Sequence, residues 1–238
     1  VMSSYPTFDP DNVGKYLNSQ EGNLINRCLN DYDMGSVFKI VVASAAIEEN
    51  LVKPDEVFEC KGYYYVADQK IDCHNIYGHK IITFEEAFMQ SCNPVFIEVG
   101  QRVGLPKIIE YAKRFGIGRK LLNPTSLVQS TGKLPDENNY YLADVANLSI
   151  GQGRLSGSAL NGAVFSAVIA TGGVLKSINC ADSIVDNVGQ RKRELKHISE
   201  ARVISEKTAG IIKNMMIKTN LNGTGTTAYV EKFGSGGK

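Results

Sequence analysis

The chain opens polar and then turns abruptly apolar. Residues 6–35 are rich in Asn, Asp and Gly and read as loop, whereas Ser36 through Ile47 is almost wholly apolar or small, with Lys39 its only charge. Gly35-Ser36 supplies a helix start, and Glu48-Glu49-Asn50 ends the run. A helix apolar on nearly all sides belongs at the centre of a fold. Residues 57–73 carry β-branched and aromatic residues around Gly62-Tyr63-Tyr64-Tyr65 and Asp68-Gln69, which predicts a short hairpin. Thr83-Phe84-Glu85-Glu86 has the form of a capping box and launches a helix toward Ser91. Pro94 permits a new helix to about Val103. Leu105-Pro106 opens another, with Ile108, Ile109, Ala112 and Phe115 at helical spacing and Gly116 as its stop. Residues 118–138 read as loop. Helices are predicted over Leu142–Leu148, Gly157–Ala170 and Ser205–Lys218, the last with Thr208, Ile211, Ile212, Met215 and Met216 turned inward. Residues 174–204 alternate weakly and predict strand and turn, with Arg191-Lys192-Arg193 as a solvated basic turn. Helix dominates.

Composition sharpens this outline. A chain of 238 residues with 43% apolar and 21% charged residues suits one large domain or two small lobes and can bury a real core. Lys and Arg total 26 against 25 Asp and Glu, so a net charge of +1 gives no global electrostatic case for nucleic acid or an anionic membrane. The first residues lack a basic start and an apolar run, so no secretory signal is read there. The stretch from Ala159 to Leu175 is too short and too polar to span a bilayer. An opening that reads as a strand and a stop at Lys238 straight after Gly234-Ser235-Gly236-Gly237 suggest a piece of something longer. The cysteines at 28, 60, 73, 92 and 180 form neither a dense disulfide framework nor a C-x-x-C array, and an odd count leaves at least one thiol free within a monomer.

Candidate chemistry starts from serine. A hydroxyl is a poor nucleophile at neutral pH and needs a base nearby. In S-x-x-K on a helix, Lys lies one turn after Ser on the same face. Burial favours its neutral amine, which can accept the serine proton. On the order of one such match is expected by composition alone, and three occur: Ser36-Val37-Phe38-Lys39, Ser130-Thr131-Gly132-Lys133 and Ser235-Gly236-Gly237-Lys238. Ser130 lies in a polar loop and Ser235 precedes two glycines. Ser36 alone begins an apolar helix, where N–H groups and the helix dipole can stabilise an anion. The residues by themselves leave a second reading open, in which Ser36 caps the helix and Lys39 snorkels to the surface. Ser91-Cys92-Asn93 is an S-x-N tripeptide at a break between two predicted helices, though Ser177-Ile178-Asn179 matches as well. Gly236-Gly237-Lys238 allows close backbone approach to a ligand.

In this order, the pieces resemble the penicillin-binding transpeptidase family, and more specifically its class B members. Met2-Ser3-Ser4-Tyr5-Pro6-Thr7-Phe8-Asp9-Pro10 resembles the segment before the nucleophile helix, and Asn26-Arg27 with Met34-Gly35-Ser36-Val37-Phe38-Lys39 resembles N-R…P-G-S-T-F-K. Ser91-Cys92-Asn93-Pro94 is similar to S-S-N and its following helix, Ser149-Ile150-Gly151-Gln152-Gly153 to S-x-G-Q-G, and Gly223-Thr224-Gly225 to the G-T-G before the K-T-G strand. The hairpin from Cys60 to Cys73 looks closest to sporulation-type members. Met34, Val37 and Gly157-Ser158-Ala159 depart from the family's usual Pro, Thr and Thr-Pro. Of K-T-G, only the Lys is present, as Lys238.

The resemblance implies an α/β (α+β) β-lactamase/transpeptidase-like fold. Residues 1–238 would be a partial domain dominated by the helical lobe, with an incomplete antiparallel sheet. It implies acyl transfer in peptidoglycan cross-linking without a cofactor. Ser36 would attack the D-Ala-D-Ala carbonyl of a stem peptide, Lys39 would take its proton, and Ser91 would relay a proton to the leaving amine. Asn93 would bind the peptide amide, and Lys238 would orient Ser91 and attract the terminal carboxylate. β-Lactams would acylate Ser36. The parent would be anchored at the outer face of the cytoplasmic membrane among other cell-wall synthesis proteins, with this part soluble and no nucleic acid bound. The alternatives are a hydrolytic relative (a D,D-carboxypeptidase or serine β-lactamase) and a non-catalytic β-lactam-binding or structural partner. Cys60 and Cys73 flank the predicted hairpin, and a domain outside the membrane can keep a disulfide, so they form either a bridge or two half-buried thiols. Cys28, Cys92 and Cys180 are expected free. No metal is assigned, because in the set Cys60, Cys73, His74 and His79 the adjacent 73 and 74 make a poor tetrahedral chelate.

Overall fold

The polar opening is punctuated by two 3₁₀ turns, Pro10–Tyr16 and Arg27–Leu29, each capped by the side chain before it, Asp9 and Asn26. The structure is a computed structural model and describes residues 4–123, 127–179, 181, 183–194, 200–232 and 234–238. A third 3₁₀ turn, Gly35–Phe38, leads into α1 (Lys39–Glu48). The helix expected from Ser36 therefore has a tighter first turn. From Lys39 to Ile47, every residue of α1 is buried, as an all-apolar helix requires. It packs against three later helices, α3, α4 and α7, whose bounds follow.

After α1 come β1 (Val57–Cys60), β2 (Tyr63–Val66), β3 (Gln69–Asp72) and β4 (Lys80–Thr83). The predicted hairpin is smaller than expected. It joins β2 to β3, with Val66 opposite Gln69 and the turn made by Ala67 and Asp68. β1 pairs instead with β4, Val57 opposite Thr83 and Cys60 opposite Lys80. The inner hairpin is thus nested inside an outer antiparallel pair. Thr83 caps α2 (Phe84–Met89) in a full capping box with Glu86. Next come α3 (Asn93–Val103), with Pro94 in its first turn, and α4 (Leu105–Arg114), stopped at Gly116.

The remaining elements are β5 (Leu122–Asn123), α5 (Leu142–Ser149), α6 (Ala159–Ala170), β6 (Val174–Leu175), β7 (Ile178–Asn179), β8 (Ser183–Val185), β9 (Arg191–Glu194), β10 (Ala201–Arg202) and α7 (Glu206–Asn222). α7 runs past Lys218 because Thr219 and Asn220 are buried and continue its inner face. β6–β10 and β8–β9 pair antiparallel and β5–β7 parallel, so the described residues hold short two-stranded pieces around a helical core. The basic cluster falls on exposed β9, where Lys192 pairs with Asp186 and Arg191 with Glu194. The core is tied by edge-to-face and tilted ring contacts, Phe38–Phe165 at 6.4 Å, Phe115–Phe165 at 5.7 Å and Phe84–Phe96 at 5.5 Å. Each such pair contributes about 0.5–1.5 kcal/mol beyond its area burial. Among the described residues, no helix is long and apolar enough to cross a membrane.

Candidate active site

Ser36 and Lys39 are brought together by the 3₁₀ turn, in which residues three apart eclipse one another. The turn is held from outside. Gly35 adopts φ 54° and donates its N–H to the Gly151 carbonyl at 2.9 Å. Gly151 has φ 77°, and a Cβ there would lie 1.9 Å from the Gly35 carbonyl oxygen. Both the dihedral and the contact demand glycine. The Ser149-Ile150-Gly151-Gln152-Gly153 stretch is therefore a backbone buttress for the residue before the nucleophile candidate.

Lys39 is fully buried. Its Nζ donates to the Ser91 carbonyl at 2.8 Å, Ser91 Oγ at 3.2 Å and Asn93 Oδ1 at 2.7 Å, and lies 5.3 Å from the Phe96 ring centre. All three ammonium protons are thus used. Burial pulls its pKa from 10.5 down to about 8, against the opposing pull of Cys92 and Cys73. It does not snorkel.

Ser91 sits where α2 ends. The Cys92 N–H bonds the Ala87 carbonyl and the Ser91 N–H bonds the Phe88 carbonyl. This is the paired pattern of a Schellman cap, with the residue after the cap in the left-handed region. That residue is Ser91, at φ 53°. A non-glycine side chain there is held against a preference of about 1–2 kcal/mol. In return, Ser91 Oγ reaches Ser36 Oγ at 2.8 Å while accepting from Lys39. Lys39 and Ser36 are thus joined through the Ser91 hydroxyl. The chain then re-enters a helix at once, and Asn93 Nδ2 donates to the Asp72 carbonyl at 3.3 Å, tying the hairpin to the junction.

The other S-x-x-K matches are structural. Ser130 accepts from the Gly132 N–H, and its own N–H bonds Leu29. Ser235 Oγ donates to the Ala228 carbonyl and accepts from Asn220. Gly236 and Gly237 do allow a close approach, but it is to α7: a Cβ on Gly237 would lie 2.9 Å from Asn220 Oδ1. Lys238 departs from its expected partner. Its half-buried Nζ donates to the Phe88 carbonyl, not to Ser91, and lies 4.6 Å from the Phe88 ring centre. Ser91 is already taken by Lys39, whose charge disfavours a second positive charge beside it. Burial, with the Lys39 charge behind it, lowers the Lys238 pKa to about 6.

A second constellation adjoins the first. Cys60 and Cys73 are unbridged thiols, in place of the disulfide alternative. The ends of β1 and β3 converge on a point shared with His79 and Cys92, and the four donor atoms all lie within 4.8 Å of one another. Each sulfur therefore has several neighbours rather than one. Cys60 Sγ and Cys73 Sγ are 3.6 and 3.5 Å from His79 Nδ1. Hydrogen bonding from Cys92 first, then from the N–H groups of Asn75 and Asn93, holds the Cys73 thiol well below the usual range. His74 is not among the four: its ring lies tilted against His79 at 5.1 Å, its Nδ1 is 3.9 Å from Cys73 Sγ, and Cys92 takes its place. From the sequence, Cys92 reads as the middle of S-x-N and as a free cysteine, not as a partner of Cys60 and Cys73. Cys180 lies outside the described residues.

Relatives bear on the family and the fold. Stage V sporulation protein D of Bacillus subtilis is 33% identical over all of this chain and 36% of its own length. Penicillin-binding protein 3 of Mycobacterium tuberculosis, solved in complex with aztreonam, superposes with a TM-score of 0.81 at 30% identity over 94% of this chain and 51% of that one. The D,D-transpeptidase domain of a peptidoglycan glycosyltransferase from Eggerthella lenta gives a TM-score of 0.88 at 23% identity, over 96% of this chain and 60% of that one. The chain spans about a third of the length of the curated relatives it matches. The profile of the penicillin binding protein transpeptidase domain matches residues 1–238, and the fold agrees with it, so this chain belongs to the penicillin-binding protein transpeptidase domain family.

Proposed function

We propose that the chain carries the acylation machinery of a serine D,D-transpeptidase acting on peptidoglycan stem peptides, and that β-lactams acylate the same serine. The observation that carries this reading is the hydrogen-bonded row Ser36 Oγ, Ser91 Oγ, Lys39 Nζ. With Lys39 as free amine, the Ser36 proton passes by way of the Ser91 hydroxyl to Nζ. The Ser36 oxygen then bonds to the carbonyl carbon of the penultimate D-Ala. As the C–N bond to the terminal D-Ala breaks, the proton returns through Ser91 to the leaving amine. An amine of a neighbouring strand attacks the acyl-enzyme and regenerates Ser36. In a β-lactam, the ring C–N bond is the one broken, and the leaving nitrogen stays tethered.

Asn93 has its Oδ1 on Lys39 and one Nδ2 proton on Asp72, leaving the second amide proton for a substrate carbonyl. Lys238 regains its proton when the substrate's terminal carboxylate settles beside it. Support from relatives comes from the aztreonam complex of the 30%-identical penicillin-binding protein 3 and from the sporulation protein. A place at the outer face of the cytoplasmic membrane, beside other cell-wall synthesis proteins, follows from the same reading.

The test is adduct mapping. Labelled penicillin is incubated with the protein, and the modified residue is located by mass spectrometry. Label on Ser36, lost in Ser36→Ala, is the expected result, and label on Ser130 or Ser235 sinks the assignment. Cross-linked product from a stem peptide and an amine acceptor separates transfer from hydrolysis.

A further inference from the structure

We propose that Cys60, Cys73, His79 and Cys92 form a closed, structural zinc site that clamps the strand layer onto the Ser91-Cys92-Asn93 junction. Cys60 ends β1, Cys73 follows β3, His79 precedes β4 and Cys92 is the N-cap of α3. Four separate pieces of backbone therefore converge on one point. All three cysteines are buried to 2% exposure or less.

The distances suit a metal. A tetrahedral zinc with Zn–S of about 2.3 Å and Zn–N of about 2.05 Å has sulfur–nitrogen edges of about 3.6 Å and sulfur–sulfur edges of about 3.8 Å. The sulfur–nitrogen edges from Cys60 and Cys73 to His79 are 3.6 and 3.5 Å. The longest separation in the cluster, at most 4.8 Å, closes by about 1 Å to reach the ideal edge. The loop that delivers His79 is already pressed into place: Gly78, at φ 71°, lies so near β1 that a Cβ would sit 2.1 Å from the Cys60 carbonyl oxygen.

The donor set selects the ion. Three thiolates and one imidazole around a single point suit Zn²⁺, whereas the hard oxygen ligands of Mg²⁺ and Ca²⁺ are lacking among the four. Iron–sulfur clusters of the common kinds take four protein ligands around a multi-iron core, which needs more room than this point of convergence offers. Four protein ligands leave no open position, so the ion is structural and not a Lewis acid for substrate. Its binding energy becomes folding energy of the active-site junction, because the ligands are gathered only in the folded chain. Zinc ligation also keeps the three sulfurs from pairing with one another.

The test is metal content together with ligand spectroscopy on the protein purified in reducing, zinc-supplemented buffer, without a metal-affinity step, and then exhaustively dialysed. The expected result is one zinc per chain, released by a thiol-modifying mercurial. Replacement by Co²⁺ should give a thiolate-to-cobalt charge-transfer band and the intense visible bands of a tetrahedral site. Cys60→Ser and His79→Ala should each weaken zinc retention against a competing chelator at least about tenfold. X-ray absorption on the unsubstituted protein gives the same answer should those variants fail to fold, with three sulfurs and one nitrogen at zinc-ligand distances. Protein that stays metal-free when offered excess zinc under reducing conditions overturns the proposal. So does a disulfide between any two of Cys60, Cys73 and Cys92 in that material, or a zinc shell dominated by oxygen. Penicillin labelling of Ser36 is read separately, so failure of the zinc site and failure of the acylation reading are distinct results.

Discussion

α1 and α6 look alike as sequence and behave differently as structure. Both are nearly all apolar or small. α1 is buried on every side from its first residue to Ile47 and admits one charge, Lys39. α6 buries Leu160, Asn161, Val164, Phe165, Val168 and Ile169 and leaves Ala163, Ser166, Ala167 and Ala170 toward solvent. Its face is built of small residues, so burial on one side satisfies it. The buried polar residue near the start of each helix tells them apart. Asn161 closes a capping box with Ser158 inside its own turn through Oδ1, and its Nδ2 adds one long bond, 3.5 Å, to the Gly116 carbonyl. Lys39 reaches across to another element for every one of its partners. A buried polar group whose short bonds close inside its own turn holds a helix. One that spans two elements can hold a reaction.

The contrast can be broken most severely at Lys39. Lys39→Ala should slow penicillin acylation by about 10²–10⁴-fold, the usual contribution of a positioned base, measured as the second-order rate of label incorporation. A change smaller than tenfold would mean that α1 is only another core helix. Phe165→Ala in α6 is the opposite case. It should remove about 3–5 kcal/mol of stability in urea unfolding, while the folded fraction acylates within a few-fold of the parent. Loss of acylation beyond the loss of folded protein would merge the two helices into one functional unit.

A pH profile sharpens the comparison with a smaller effect. The Lys39 pKa is depressed to about 8, so the free amine is about a tenth of the population at pH 7 and most of it at pH 9. Acylation should rise roughly tenfold over that range and then level off. The sign for stability follows from the same depression. Between pH 8 and 10.5 the unfolded chain holds a proton that the folded chain has shed, so stability relative to Lys39→Met increases with pH. A flat rate profile would remove Lys39 as the base. The smallest effect lies in α6. At Gly162 an added Cβ would meet Val37 Cγ1 at an ordinary 3.6 Å, so Gly162→Ala should raise stability by about 0.5–1 kcal/mol, read as an increased urea midpoint.

Much of this was legible because it is local. The Thr83 and Ser205 caps, the Gly116 stop and the buried run after Ser36 depend on residues within a turn or two. Ser36 was separable from Ser130 and Ser235 because only it begins an apolar helix. What was not legible depends on long-range meetings. Nothing near Cys92 says that it faces Cys60, thirty-two positions earlier. β1 and β4 bracket a hairpin that satisfies its own hydrogen bonds, so their pairing had no local signal. The position of Lys238 reflects competition, since its expected partner Ser91 is already engaged by a second lysine.

The left-handed backbone at Ser91 sets what can be learned from selecting variants of this protein. The Schellman geometry there is the one that glycine adopts at no steric cost, while the hydroxyl that completes the row belongs to serine. Folding and chemistry thus ask position 91 for different residues. A library sorted for heat resistance drifts toward glycine there and fills with well-folded, unreactive protein. One sorted for penicillin capture keeps serine and accepts the weaker cap. Position 91 is where a search for sturdiness and a search for reactivity part company.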